Sequence, residues 1–300
     1  MTPFWDWEVP LILWLQGGHP AWTPFFRFLT ALGNEEFSLM AGPFVLWCLN
    51  KAWGIGLLVM LLGSQGVNVA LKEWFRSPRP FLTHGRILQL DDPGGWSLPS
   101  GHAQNSTVIW MYLASKVRRL WFWIAAIVLV LGIIVSRMYL GVHYPGDVLA
   151  GAAVGLAFLG LVFLIAPYVT ARITQLRPGW WLGFFVLLGI VFCVLQPYPD
   201  FVASVATLVC GSIGWILERA YVRFDVAGPW KQRGLRYVVG LVVLVLLWRG
   251  LKAVFGLFAD EGTPLFLILR GIRYSMLGLW VTWGAPALFV RLKLASQTAA

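Results

Sequence analysis

The chain has 300 residues, 59% hydrophobic and only 12% charged, with 18 Trp and a formal charge of +10; its mean hydropathy is +0.74. This composition excludes an ordinary water-soluble domain and a charged disordered chain, and it implies a polytopic membrane protein. Cys48, Cys193 and Cys210 lie inside apolar runs without metal-ligand spacing, so neither a disulfide framework nor a metal site is expected.

In chain order, the first elements are FWDWEVPLILWLQ and AWTPFFRFLTALG, each too short to cross a bilayer core and rich in Trp and Phe. They read as interfacial helices within residues 1–34. The leading segment carries acids where a secretory signal would carry basic residues and lacks a small-residue cleavage site, so it reads as part of the mature chain. Apolar runs then predict nine spans, near 37–50, 53–74, 101–116, 119–139, 145–167, 180–196, 200–219, 235–256 and 266–290. The expected fold class is all-α: a polytopic transmembrane helical bundle with a catalytic membrane core over 35–170 and C-terminal transmembrane helices of accessory role over 171–300.

Basic residues in short loops stay on the cytoplasmic side. Under this count Lys51, then Lys116, Arg118 and Arg119, then Arg172 and Arg177, then the loop ERAYVRFDVAGPWKQRGLR, and finally Arg291 and Lys293 share one side. The opposite, extracytoplasmic side receives most of the acids in the loops. The positive charge is thereby a topology signal, and no nucleic-acid partner is expected.

Three polar clusters remain that topology does not explain, all at the extracytoplasmic ends of spans. KEWFRSPRP (Lys72–Pro80) closes the second span, PSGH (Pro99–His102) opens the third, and SRMYLGVHYPGD (Ser136–Asp147) joins the fourth to the fifth. Lys72, Arg79 and Arg137 would offer a point charge and two guanidinium forks to the non-bridging oxygens of a phosphate. Ser100 and Gly101, at a helix start, would add a hydroxyl and backbone N–H groups. Of the two histidines, one can attack phosphorus while the other protonates the leaving oxygen and then activates water. Asp147 follows His143 by one helical turn and could orient its imidazole.

These clusters resemble the three-part signature of the type 2 phosphatidic acid phosphatase (PAP2) superfamily, KX6RP, PSGH and SRX5HX3D. They stand here complete and in order as Lys72 with Arg79-Pro80, Pro99-Ser100-Gly101-His102, and Ser136-Arg137 with His143 and Asp147. The resemblance implies that His143 is the nucleophile, Asp147 its partner and His102 the general acid and base. It further implies that Lys72, Arg79, Ser100, Gly101 and Arg137 cradle the phosphate and that neither metal nor cofactor is needed.

The expected activity is hydrolysis of a lipid phosphate or lipid pyrophosphate through a phosphohistidine, at an extracytoplasmic site in a membrane such as the bacterial inner membrane. Two alternatives stand beside it: a non-catalytic lipid-phosphate binder or transporter, and a sugar-phosphate phosphatase of the glucose-6-phosphatase type. Outside the motifs, Arg249 with Lys252 and Arg270 with Arg273 are spaced three apart on helical segments, so each pair shares a helix face. They read as snorkelling cations or as a second anionic subsite for a headgroup.

Overall fold

The computed structural model describes residues 7–173 and 178–298, and the elements among them are helical apart from one isolated antiparallel bridge, Phe224 with Gln297. In chain order they are α1 (Glu8–Gln16), α2 (Thr23–Ala31), α3 (Glu35–Phe44), α4 (Lys51–Phe75), α5 (Pro80–Thr83), α6 (Gly101–Val117) and α7 (Leu120–Tyr139). There follow α8 (Pro145–Ile173), α9 (Pro178–Leu195), α10 (Pro199–Leu217), α11 (Trp230–Val245), α12 (Leu251–Phe255), α13 (Pro264–Leu279) and α14 (Ala285–Arg291). Single π-helical turns extend α3, α10, α11 and α13.

Among the described residues, six helical stretches are long and apolar enough to cross a membrane: Lys51–Thr83, Leu120–Tyr139, Pro145–Tyr168, Pro199–Val222, Trp230–Phe255 and Pro264–Arg291. Six of the nine expected spans are thus met by length and composition among the described residues, and those near 37–50, 101–116 and 180–196 are not. α3 has 10 residues before its π-helical turn, and α6 has 17, with Gln104, Asn105, Ser106 and Thr107 in its first two turns. In α9 the apolar described stretch is Val186–Leu195. Arg177, counted above among the basic loop residues, lies outside the described residues.

The chain divides into two compact units, Met1–Ser38 with Val67–Ile165, and Leu39–Gly66 with Ala166–Ala300. In the first unit α6 and α7 form an antiparallel hairpin whose turn places Arg118 in the left-handed region at φ 55° and caps α6 with its N–H to Ala114 O. The polar start of α6 and the end of α7 therefore meet at one end of the hairpin, and Lys116, Arg118 and Arg119 lie at the other. α8 packs on α6 at glycine spacing: a Cβ on Gly151 would come 2.4 Å from Ser100 O, and one on Gly155 2.7 Å from Gln104 O. Small residues four apart let two helix backbones approach where lipid offers no hydrophobic drive. Asn68, on the last turns of α4, ties that helix to the same point, donating from Nδ2 to Gln104 Oε1 at 2.9 Å and to Pro99 O at 3.3 Å.

The short α1 and α2 cannot span: nine residues at 1.5 Å each reach about 13 Å. α2 packs on α7 with Phe26 stacked on Tyr139 at 4.2 Å between ring centroids, and Thr23 Oγ1 hydrogen-bonds the Tyr139 hydroxyl at 2.8 Å. Trp14, Trp22, Phe25 and Phe28 are exposed on these two helices, an aromatic surface suited to the interface.

The second unit has its own core, centred on the fully buried Trp47, Leu244, Ala285 and Phe289. One polar link is buried in it: Lys51 Nζ meets Glu218 Oε1 at 2.7 Å, and that carboxylate also accepts from Phe224 N at 2.7 Å. Gly278 of α13 lies against α10, where a Cβ would meet Thr207 O at 2.6 Å.

Candidate active site

Each of the three motifs ends a helix of the first unit, and the fold draws those ends together. SRMYLGVHYPGD carries the chain from α7 into α8 within five residues. This tight reversal needs Gly141 at φ +74°, where a Cβ would lie 2.2 Å from Leu88 O, so no larger residue fits. Arg137 is thus on the last turn of α7, His143 in the connection and Asp147 on the first turn of α8. The PSGH segment meets this reversal directly, because Ser100 N donates to Asp147 O at 3.0 Å.

The imidazole of His143 is 2% exposed and gripped from both sides. On one side Arg79 Nη1 lies 3.3 Å from Nε2; because a guanidinium only donates, Nε2 holds the lone pair and Nδ1 the proton. On the other side Nδ1 is 3.3 Å from Ser97 Oγ and 3.6 Å from Asp147 Oδ2. Burial, reinforced by the charges of Arg79, Arg137, Lys72 and His102, holds the His143 pKa well below the usual histidine range, so the ring is neutral at pH 7.

Asp147, 1% exposed, accepts through Oδ2 from Ser97 Oγ at 2.5 Å and from Tyr144 N at 2.9 Å, while Oδ1 has no partner among the described residues. A second carboxylate reaches the same helix start: buried Glu8 of α1 accepts from Gly146 N at 2.6 Å. Both complement the positive end of α8.

The cations occupy unlike environments. Arg137, 1% exposed, spends Nη1 on Thr30 Oγ1 at 2.6 Å and on Asp91 Oδ2 at 2.8 Å, and its Nε lacks a partner among the described residues. Arg79 instead donates to the carbonyls of Gly94, Gly95, Trp96 and Val142, clamping the loop ahead of PSGH. Lys72 is half-buried at the end of α4, and its charge acts on His143. The Ser100 hydroxyl, expected on a phosphate, caps α6 by accepting from Ala103 N at 3.4 Å, and Gly101 begins that helix. His102 and Arg137 both line a cavity of about 740 Å³, shared with Arg27, Thr30, Asn34 and Asp91 among others.

Sequence reading missed Ser97, Asp91, Thr30 and Glu8. The last two belong to helices that precede the motifs, and only folding brings them to the site. An acid within the otherwise apolar EVPLILWLQ was the one available signal for Glu8.

The four C-terminal cations all belong to the second unit. Arg270 is matched by Asp200 at 2.6 Å and by Pro199 O at 2.8 Å; Arg273 is 6% exposed with Nε unpartnered among the described residues; Arg249 and Lys252 are exposed. Each expected pair thus divides by environment only in α13, where one arginine is neutralised and the other is not.

An all-helical membrane protein in which His143, Asp147 and Arg79 meet at converging helix ends, with His102 and Arg137 on a cavity, belongs to the class that handles phosphate at a membrane. The PAP2 superfamily model matches residues 53–171, and the model of the PAP2 superfamily phosphatase transmembrane extension matches residues 202–297. The chain is 32% identical over 151 residues to phosphatidylglycerophosphatase B of Bacillus subtilis, covering 45% of this chain and 70% of that protein. It is 28% identical over 185 residues to lipid A 4'-phosphatase of Bacteroides thetaiotaomicron, covering 59% and 76%. It is 25% identical over 304 residues to sphingosine-1-phosphate phosphatase 1 of Rattus norvegicus, covering 88% and 71%. The chain belongs to the PAP2 superfamily and is an integral membrane phosphatase.

Proposed function

We propose that this phosphatase hydrolyses a phosphate monoester or pyrophosphate of a lipid through a phosphohistidine on His143, at the extracytoplasmic face. The observation that carries the reading is the state of His143: neutral, buried, its Nε2 lone pair facing Arg79 and its Nδ1 side facing a serine and a carboxylate. Nε2 attacks phosphorus as the bond to the leaving oxygen breaks, and that oxygen takes a proton from His102. The arriving phosphate dianion favours the protonated form of His102 beside it. Water then gives a proton to His102 and attacks phosphorus; the N–P bond breaks, inorganic phosphate leaves and His143 returns neutral. Arg137, Arg79 and Lys72 neutralise the phosphoryl oxygens, and Gly101 at the α6 start adds a backbone N–H, that of Ser100 being held by Asp147 O.

A lipid as substrate is supported by the three relatives, whose names specify phosphorylated lipids, and by the aromatic surface of α1 and α2 beside the site. The extracytoplasmic placement is supported by the basic residues at the far end of the α6–α7 hairpin. A membrane core carrying the site, with the C-terminal helices as an accessory part, agrees with the separate matches to the two regions.

The test is phosphate release by purified protein in liposomes across phosphatidate, phosphatidylglycerol phosphate, a polyprenyl pyrophosphate, a sphingoid-base phosphate and a sugar phosphate. Vanadate inhibits and EDTA does not, and His143→Ala falls to background while it remains folded. Sustained turnover by that variant would overturn the mechanism; exclusive use of the soluble sugar phosphate would overturn the lipid assignment. Binding of lipid phosphate without release by the wild type would favour the transporter alternative.

A further inference from the structure

We propose that Ser97 is a positioning residue that couples Asp147 to His143, so that the carboxylate acts on the imidazole through a serine hydroxyl rather than by direct contact. The proposal rests on the reading of His143 as nucleophile.

The direct route is too long. Nδ1 of His143 and Oδ2 of Asp147 are 3.6 Å apart, beyond hydrogen-bond reach, whereas Ser97 Oγ lies 2.5 Å from Oδ2 and 3.3 Å from Nδ1. The Ser97 hydroxyl has two acceptors in reach, Asp147 Oδ2 at 2.5 Å and Val142 O at 3.4 Å, and the shorter contact fixes its proton. Arg79 donates to Nε2, so the ring proton is on Nδ1; the carboxylate accepts, so the serine proton points to Oδ2; the serine lone pair is then left for Nδ1–H. The chain carboxylate, hydroxyl, imidazole therefore agrees with the tautomer in which Nε2 carries the lone pair.

Ser97 is built to hold this position. It is fully buried, and its N–H donates to Ser77 O at 2.9 Å. The three residues before it, Gly94, Gly95 and Trp96, have their carbonyls held by Arg79, so the guanidinium that faces Nε2 also anchors the loop that delivers the hydroxyl to Nδ1. When Nε2 bonds to phosphorus the ring becomes cationic and Nδ1–H more acidic. Both hydrogen bonds of the relay then strengthen, which is where differential stabilisation of the transition state arises.

The experiment compares Ser97→Ala, Asp147→Asn and the double variant with the wild type, in kcat, KM, pH profile and inhibition by inorganic phosphate. The charged and titratable groups acting on His143 are Arg79, Arg137, Lys72, His102 and Asp147, and Ser97→Ala leaves all of them in place. Its kcat is expected to fall on the order of 10- to 100-fold, the usual cost of losing a partner that orients a reacting imidazole, with KM and inhibition by inorganic phosphate little changed. Because the lost hydroxyl touches both the imidazole and the carboxylate, the acid limb of kcat/KM shifts. The double variant should be no worse than the more damaged single one, since both substitutions cut the same chain.

Wild-type kcat with an unmoved acid limb overturns the proposal, as do additive effects in the double variant. Parallel loss of affinity for inorganic phosphate overturns it as well, because the serine would then only shape the cradle. If Ser97→Ala does not fold, Ser97→Cys, with a weaker donor and acceptor, is read in its place, and full turnover from it overturns the relay. An inactive His143→Ala beside an undisturbed Ser97→Ala removes the relay alone; an active His143→Ala removes the nucleophile reading beneath it.

Discussion

Two arginines, one in each unit, are almost wholly inaccessible, yet their surroundings differ in kind. Arg236 is 0% exposed and gives Nη1 and Nη2 to the carbonyls of Asp225, Val226 and Ala227, with its guanidinium 5.3 Å from the Phe224 ring centroid. Arg137 is 1% exposed but uses one nitrogen, on Thr30 and on Asp91, and it borders the cavity. The backbone of a folded loop cannot leave Arg236 without unfolding. The carboxylate of Asp91, 38% exposed, can be exchanged for a substrate oxygen. Burial alone therefore does not mark a functional cation; what marks it is a replaceable partner beside an opening.

The sharpest way to break this comparison is to remove both guanidinium groups in turn. Arg137→Ala is expected to lower kcat/KM about 10³-fold, near the cost of deleting one donor to a developing oxyanion, with a thermal midpoint close to the wild type. Arg236→Ala is expected to do the opposite. It leaves the half-buried carbonyls of Asp225 and Val226 without their partner and is expected to cost about 1–3 kcal/mol of stability in all, while each folded molecule turns over nearly as fast as the wild type. Equal loss of stability in both variants would erase the distinction.

A second effect follows from His143. Its folded pKa lies below the unfolded value of about 6.5, so the acid limb of kcat/KM should fall below pH 6.5. The sign for stability is the same. Below pH 6.5 the unfolded chain binds a proton that the folded site refuses, so stability is full above that pH and declines as pH falls towards the folded pKa. Thermal melts of the wild type and His143→Gln over pH 4–8 should therefore differ in slope in that acidic window and run parallel above it.

Smaller still is the expected result of Asp91→Asn. Removing the charge that competes for Arg137 should tighten vanadate and phosphate inhibition by roughly 5-fold, a change of about 1 kcal/mol that fits a partly exposed ion pair. Unchanged or weaker inhibition would mean that Asp91 holds Arg137 in place rather than occupying it.

The least effect is expected in the second unit. Arg270→Gln breaks a pair with the exposed Asp200 and should leave KM almost unaltered, whereas Arg273→Gln, which removes a buried guanidinium without an ionic partner among the described residues, should be the one that raises KM if these helices contribute to headgroup binding. Comparing the best lipid substrate with a minimal phosphate monoester separates the cases: an equal effect on both assigns Arg273 to packing.

The sequence by itself determined the membrane setting, the helical class and the three motifs, because each is a local property: hydropathy over about 20 residues, and fixed spacing within one turn or loop. Of its nine expected spans, those on α3 and α6 do not qualify by length and composition among the described residues, since α3 is short and α6 opens with a polar face. Only the tertiary structure decided what each charged group meets. Arg79 and Arg137 look alike in the motifs, yet one grips a loop and the other faces a carboxylate, because their partners lie at positions 94–96 and 142 in the first case and at 30 and 91 in the second. Ser97 and Glu8 have no distinguishing spacing at all, and they matter because helix ends distant in sequence converge on one imidazole and one helix start. Hydrogen bonding acts over about 3 Å, and distance along a chain does not report it.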